Sequence, residues 1–251
     1  HSTAQNAEKP EIVVTESSDL PVDVESFRKT IAELAEVKSI QLPMKELSSS
    51  EEDTLINELD DVAALFIRSG IIGKRIIDSC TKLKIITIHG VGVEQVDVSA
   101  ATENGIMVTN VPGGNAEAVA ELNFGLILAF CRKIIPSVEQ VRKGKWIKSV
   151  GTELGGKTLG IIGLGHIGSK VAELGRTFGM NIIGYDPFVK AEQSIPMNVS
   201  LVDLETLLMR SDVVSIHASL TEHTKEMIGK KELQLMKRSA ILANTARGAI
   251  V

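Results

Sequence analysis

Aromatic residues are scarce in this chain. Phe, Tyr and Trp make up 3% of its 251 residues, so any core must be aliphatic. Cysteine is nearly absent. Cys80 and Cys131 fit no metal-ligand spacing and read as buried apolar filler in a reducing compartment. No basic stripe offsets a formal net charge of −5, which argues against nucleic acid as the main partner. No secretory leader and no apolar run of roughly 18 residues is visible, so no membrane partner is expected and a cytoplasmic location is. Repeats and low-complexity tracts are also missing. The chain opens with His1-Ser2-Thr3, read as a tag remnant, and residues 2–10 are polar and expected to fray. What remains is 43% apolar, ample for a large core, and the length allows one to two domains.

The densest signal lies in residues 158–186, TLGIIGLGHIGSKVAELGRTFGMNIIGYD. An aliphatic run from Thr158 to Ile162 precedes Gly163, Gly165 and Gly168, which give G-x-G-x-x-G. A helix with Ile167, Val171, Leu174 and Phe178 at steps of three and four follows, and Gly179 stops it. A second aliphatic run ends at Asp186, 18 residues past Gly168. Each part has a physical role in holding a dinucleotide. Gly163 allows the tight turn, Gly165 lets backbone approach a pyrophosphate, and Gly168 lets the helix pack on the strand. The helix N-terminus offers free N–H groups, and the acid can accept ribose hydroxyls. Glycines also serve plain turns; here strand, helix, second strand and acid agree.

Before this stretch, strands are predicted at 11–15, 39–42, 62–67, 84–88 and 106–109, with helices between them at 22–36, from the SSSEED caps to about 59, at 74–80 and at 96–103. Strands alternating with helices mean a parallel sheet, and this five-strand rhythm reads as a separate flavodoxin-like domain. The turn-rich segment Asn110–Asn115 marks the crossing to a second domain. A helix apolar almost all round is expected at 116–132, buried between domains or in an oligomer, with another helix after Pro136. After Asp186, helices at 203–211 and 230–236 alternate with strands at 213–216 and 240–243. The fold class is therefore α/β, with two doubly wound parallel-sheet domains at 1–109 and 110–251. The end at Val251, directly after a strand and turn, is read as a C-terminal truncation.

Ligands of such sheets sit at the carboxyl ends of strands. Ser69 and Gly70 there offer amides suited to a carboxylate, or form a plain turn. Gly90 and Gly92 leave the backbone around Val91 uncovered, or again only turn the chain. His217 could be catalytic, although packing or an adenine-edge role suits it better. Arg247 has no obvious structural duty, and its planar fork matches a carboxylate.

The segments RSGI at 68–71, HGVGVEQVD at 89–97, GIMVTNVPGGNAEAVAE at 105–121, KTLGIIGLGHIG at 157–168, YDPF at 185–188 and NTARGAIV at 244–251 resemble the NAD-dependent D-isomer-specific 2-hydroxyacid dehydrogenases, most of all their phosphoglycerate dehydrogenase branch. The resemblance covers nearly the whole chain in order. It implies a substrate domain followed by a Rossmann NAD-binding domain. It implies that main-chain amides at Ser69, Gly70, Val91 and Gly92 hold a substrate carboxylate, with Asn115 near the reacting centre. It places Gly163, Gly165, His166, Ile167 and Gly168 at the pyrophosphate and Asp186 at the ribose. His217, Ala218, Thr245 and Ala246 fall at cofactor-contacting positions, and Arg247 matches the catalytic arginine. The implied reaction moves hydride between C2 of a D-2-hydroxy or 2-keto acid and nicotinamide, with NAD as cofactor. The implied substrates are of the 3-phosphoglycerate or hydroxypyruvate and glyoxylate type.

Two departures stand out. His217-Ala218-Ser219 replaces the family's frequent His-x-Pro. The family's catalytic acid and histidine follow the arginine segment, where this sequence has ended; His89, His166, His217 and His223 do not substitute by position. A non-enzymatic dinucleotide-sensing protein of the same fold is the alternative. A homodimer or homotetramer is expected from the apolar helix at 116–132.

Overall fold

The computed structural model describes residues 9–146 and 148–251. The tag-like start and most of the segment expected to fray therefore lie outside the described residues. The chain divides after Gly114 into two compact units.

In the first unit, β1 (Glu11–Glu16), β2 (Glu36–Gln41), β3 (Val62–Ile67), β4 (Ile85–Ile88) and β5 (Met107–Thr109) form one sheet in the order β2-β1-β3-β4-β5. Every pairing is parallel. This is the flavodoxin-like order. The helices α1 (Val24–Ile31), α2 (Ser49–Glu58), α3 (Lys74–Ser79) and α4 (Val98–Glu103) make the crossovers. The serines and acids at 48–53 form a true capping box: Ser48 Oγ accepts from the Glu51 amide, and the Glu51 carboxylate accepts the Ser48 amide at 2.7 Å. The core is aliphatic, with Val13, Leu65, Ile67, Ile76 and Ile86 almost fully buried. The helix expected at 22–36 is cut to eight residues because Glu36 already pairs in β2. Leu34, expected on its buried face, is outside it and 73% exposed.

The second unit begins with α5 (Ala116–Cys131) and α6 (Ile134–Arg142). Its sheet contains β6 (Thr158–Ile162), β7 (Asn181–Tyr185), β8 (Ser200–Leu201), β9 (Val213–Ile216) and β10 (Ile241–Asn244), interleaved with α7 (His166–Thr177), α8 (Ala191–Met197), α9 (Leu204–Arg210) and α10 (Lys230–Leu235). The order is β10-β9-β6-β7-β8, again all parallel, which is Rossmann topology with its switch point beside β6. Side chains of period two feed two cores. Leu159, Ile161 and Val213 pack against α5 and α7, whereas Ile162, Val214 and Ile216 pack against α9. The buried stripe of α7 is Gly168, Val171, Ala172 and Gly175, so Phe178, expected inside, is 40% exposed. Small residues bring this helix close to the sheet: a Cβ on Gly175 would meet Leu159 and Ile182 side-chain carbons at 2.8 Å. α8 and β8 have no counterpart in the sequence reading. Helix α5 buries Ala120, Asn123, Phe124, Ile127 and Cys131 but leaves Leu122, Leu126 and Phe130 half or more exposed.

Candidate active site

The glycine turn between β6 and α7 is fixed from both sides. Gly163 has φ +90°, a conformation that L side chains rarely adopt, and a Cβ there would lie 2.8 Å from the Ala218 amide nitrogen. Gly168 cannot carry a Cβ either, because one would come within 1.9 Å of the Gly163 carbonyl oxygen. Gly165 differs from both: its φ is −69° and a Cβ would have nothing within 4 Å. Two glycines thus serve the protein's own packing, and the third leaves open space at the N-terminus of a twelve-residue helix.

A cleft of about 470 Å³ opens beside this turn, lined among others by Gly163, Gly165, Asp186, Phe188, His217, Ala218 and Met227. Asp186 leaves β7 at the far side of the turn. One carboxylate oxygen accepts the Leu164 amide at 2.8 Å and the other accepts the Phe188 amide at 2.9 Å. These bonds fix the carboxylate at the cleft wall, with further lone pairs on each oxygen for ligand hydroxyls. The residues present fit a dinucleotide: an open backbone cradle at a helix N-terminus for the pyrophosphate, and an oriented acid for the ribose.

His217 closes the same cleft from the end of β9. Its Nε2 lies 2.8 Å from Ser215 Oγ, and Ser215 Oγ donates to Asn123 Oδ1 at 3.1 Å. Ser215 and Asn123 are fully buried. Burial pushes the His217 imidazole down to about 4, so it is neutral at physiological pH. His217 Nδ1, Asn123 Nδ2 and Thr245 Oγ1 are buried with no protein partner.

Thr245, Ala246 and Arg247 follow β10, the strand beside β9. The Asn244 side chain organises this turn, accepting the Ala246 amide at 2.9 Å and donating to the Arg247 carbonyl at 2.9 Å. Arg247 is exposed, and its Nη1 donates to the Ala246 carbonyl at 3.0 Å. His166 and Ile167 occupy the first turn of α7 next to the cradle. Asn115 is the exposed N-cap of α5 and makes no side-chain cap bond.

In the first unit, Ser69 and Gly70 follow β3, and Val91 and Gly92 follow the neighbouring β4. Arg68 ties the two turns, its Nη1 donating to the His89 carbonyl at 3.0 Å. Ser69 is fully buried and its hydroxyl donates to the Leu42 carbonyl at 2.6 Å. The Gly70 amide, expected to be open, already donates to Met44 Sδ at 3.2 Å. Asn110 Nδ2 donates to the Val91 carbonyl at 2.6 Å and steadies that loop. Sequence reasoning missed Met44, and it missed Asn123 and Ser215 behind His217. The last two carried a signal: each is a lone polar residue in an aliphatic segment, LNFGLIL and VVSI, and a buried polar group needs a partner.

Residues 124–251 match the model of the D-isomer specific 2-hydroxyacid dehydrogenase NAD binding domain. The chain belongs to this family. Its second unit is the family's NAD-binding domain, with the glycine turn and Asp186 in the cleft described above. The chain is 43% identical over 204 residues to a D-3-phosphoglycerate dehydrogenase of Methanocaldococcus jannaschii, covering 80% of this chain and 39% of that protein. It is 43% identical over 205 residues to a glyoxylate reductase of Thermococcus litoralis, covering 78% of this chain and 61% of that protein. The chain therefore spans less than two thirds of the length of each of these relatives. Among solved structures, the NAD⁺-bound 3-phosphoglycerate dehydrogenase of Entamoeba histolytica superposes with a TM-score of 0.79 at 31% identity, covering 97% of this chain and 74% of that one. Among the described residues, no group of His, Cys, Asp and Glu is placed to hold a metal ion, and no helix is long and apolar enough to cross a membrane.

Proposed function

We propose that the protein is an NAD-dependent oxidoreductase acting on a D-2-hydroxy acid or its 2-keto partner, of the 3-phosphoglycerate or of the hydroxypyruvate and glyoxylate type. The cleft at the glycine turn carries this reading, because open space over Gly165 faces a carboxylate held in place by two backbone amides. Nicotinamide supplies a hydride acceptor or donor when bound. The protein's contribution is binding and orientation. Asp186 takes the adenosine ribose, and its charge disfavours a 2′-phosphate. Arg247 grips the substrate carboxylate with its planar fork and holds C2 toward the ring. In the first unit, the turns at Ser69-Gly70 and Val91-Gly92 are the proposed main-chain amide donors to a substrate carboxylate, the Gly70 amide exchanging its contact with Met44 Sδ for it, and in the second unit Asn115 is the residue proposed to serve the reacting carbon.

The exposed Leu122, Leu126 and Phe130 of α5 continue into Ile134, Ile135, Val138 and Val141 of α6, each over 40% exposed. An apolar surface of this extent on a soluble chain suits burial between subunits, so a homodimer, or a homotetramer built from it, is part of the proposal. Two buried, unbridged cysteines suit a reducing, cytoplasmic setting. A role in serine biosynthesis follows if the substrate is 3-phosphoglycerate. The test is steady-state NADH consumption by the full-length protein with phosphohydroxypyruvate, hydroxypyruvate and glyoxylate. Turnover of at least one supports the reading; NADH binding without turnover of any 2-keto acid leaves a dinucleotide sensor.

A further inference from the structure

We infer that Asn123 and Ser215 are positioning residues that hold His217 as a neutral, Nε2-protonated ring in the wall of the cofactor cleft. The available protons fix the ring's state. A serine hydroxyl has one proton to donate. Ser215 Oγ gives it to Asn123 Oδ1 at 3.1 Å. At 2.8 Å from His217 Nε2, the same oxygen must then accept, so Nε2 carries the ring proton and Nδ1 carries the lone pair. The direction of the whole chain is set by the Asn123 carbonyl oxygen at its buried end.

The strand geometry explains why this chain of bonds can form. Residues 213, 215 and 217 point to one face of β9, the face covered by α5 and α7. Ser215 is therefore sandwiched between the histidine beyond the strand end and Asn123 on α5. Both inner members are fully buried, so no water competes for their hydrogen bonds. A buried Asn–Ser pair has little value to packing against a sheet face that is otherwise aliphatic, and each polar group must be satisfied there. Its effect is on the ring: without the bond from Nε2 to Ser215, the histidine can rotate about its side-chain bonds and exchange tautomers. Held this way, the ring keeps one orientation in the wall of the cleft, with Nδ1 a bare acceptor buried within that wall. Thr245 Oγ1 is likewise buried without a protein partner; Thr245 and His217 each follow directly on the last registered pair of β10 and β9, Asn244 with Ile216.

This inference rests on the NAD reading of the cleft, and two measurements separate them. The first reads the ring directly, without cofactor, by long-range proton–nitrogen NMR on full-length protein labelled at histidine nitrogens. The His217 signals are identified by their loss in His217→Gln. The expected result near neutral pH is a single Nε2-protonated ring in the native protein and in Ser215→Thr, and a mixture of tautomers in Ser215→Ala. The second is NADH affinity by fluorescence titration. Loss of one buried hydrogen bond should weaken binding between about twofold and tenfold in Ser215→Ala, and Ser215→Thr should restore it. A native ring protonated at Nδ1 would show that the amide of Asn123 donates instead, and would overturn the assignment even if the alanine variant does not fold. An unchanged ring in Ser215→Ala, or a changed ring with unchanged NADH affinity, overturns the positioning role alone. Native protein that binds no NADH overturns the NAD reading and this role together.

Discussion

One methyl group placed at two neighbouring glycines separates the protein's own needs from the ligand's. At Gly163 a Cβ must adopt φ +90° and sit 2.8 Å from both the Ala218 nitrogen and the His217 carbonyl carbon. Left-handed backbone costs a non-glycine residue about 1–2 kcal/mol, and overpacking against backbone adds roughly 1–3 kcal/mol. Gly163→Ala should therefore unfold earlier by several degrees, on the order of 10 °C. At Gly165 neither term applies, since φ is −69° and nothing lies within 4 Å. Gly165→Ala should fold with a midpoint within about 2 °C of native, because a compatible Gly→Ala change also removes unfolded-chain entropy. Its methyl group would nevertheless stand where the pyrophosphate meets the backbone. NADH affinity should fall at least about tenfold, the same overpacking cost now met only on binding. Thermal unfolding and a fluorescence titration on the two variants suffice. Native NADH affinity in a well-folded Gly165→Ala would refute the pyrophosphate assignment.

Three further outcomes follow from the same geometry. The native protein should bind NADH at least about tenfold more tightly than NADPH, because a 2′-phosphate would meet the Asp186 carboxylate; equal affinities in parallel titrations would remove Asp186 from the ribose site. Arg247→Lys should raise KM for the keto acid by about 10- to 100-fold through loss of a bidentate, charge-assisted pair, while NADH affinity measured separately stays native. The His217 ring has its folded pKa lowered to about 4 from an ordinary 6.5, so the unfolded chain takes up the proton first as pH falls. That contribution is complete above pH 6.5 and declines below it, amounting to about 2 kcal/mol between about pH 7.5 and about pH 5. His217→Gln should lose this share of the acid sensitivity in denaturant titrations at the two pH values, and an unchanged pH dependence would show that the ring is not buried as a neutral group.

Much of the fold was legible because parallel strands buried on both faces leave unbroken aliphatic runs, as in VAALFI and TLGII. The glycine turn was legible because its residue types answer to backbone geometry: φ at Gly163 and a 1.9 Å approach at Gly168 admit nothing else. Boundaries failed where local periodicity outran pairing. The apolar spacing of 27, 31 and 34 extended α1, whereas strand pairing from Glu36 onward ended it. α8 and the two-residue β8 escaped because so short a pair leaves no periodic signal, and Asn198 between them adopts a left-handed turn. The apolar face of α7 was read correctly at Val171, with Ile167 and Leu174 packing at its margin, but apolar size also pointed to Phe178 while close packing selected Gly168, Ala172 and Gly175. Contacts that join distant residues, such as Met44 with Gly70 and Asn123 with Ser215, are set by tertiary packing and have no spacing to read.

The claim on which the account turns is that the cleft between the glycine turn and Asp186 holds NAD. A crystal structure of the full-length protein grown with NADH tests it most directly. The expected complex has the pyrophosphate over the Gly165 backbone at the start of α7, with the adenosine ribose hydroxyls on the Asp186 carboxylate and His217 in the wall beside them. A dinucleotide bound elsewhere on the chain, or a ribose that leaves Asp186 uncontacted, would contradict it.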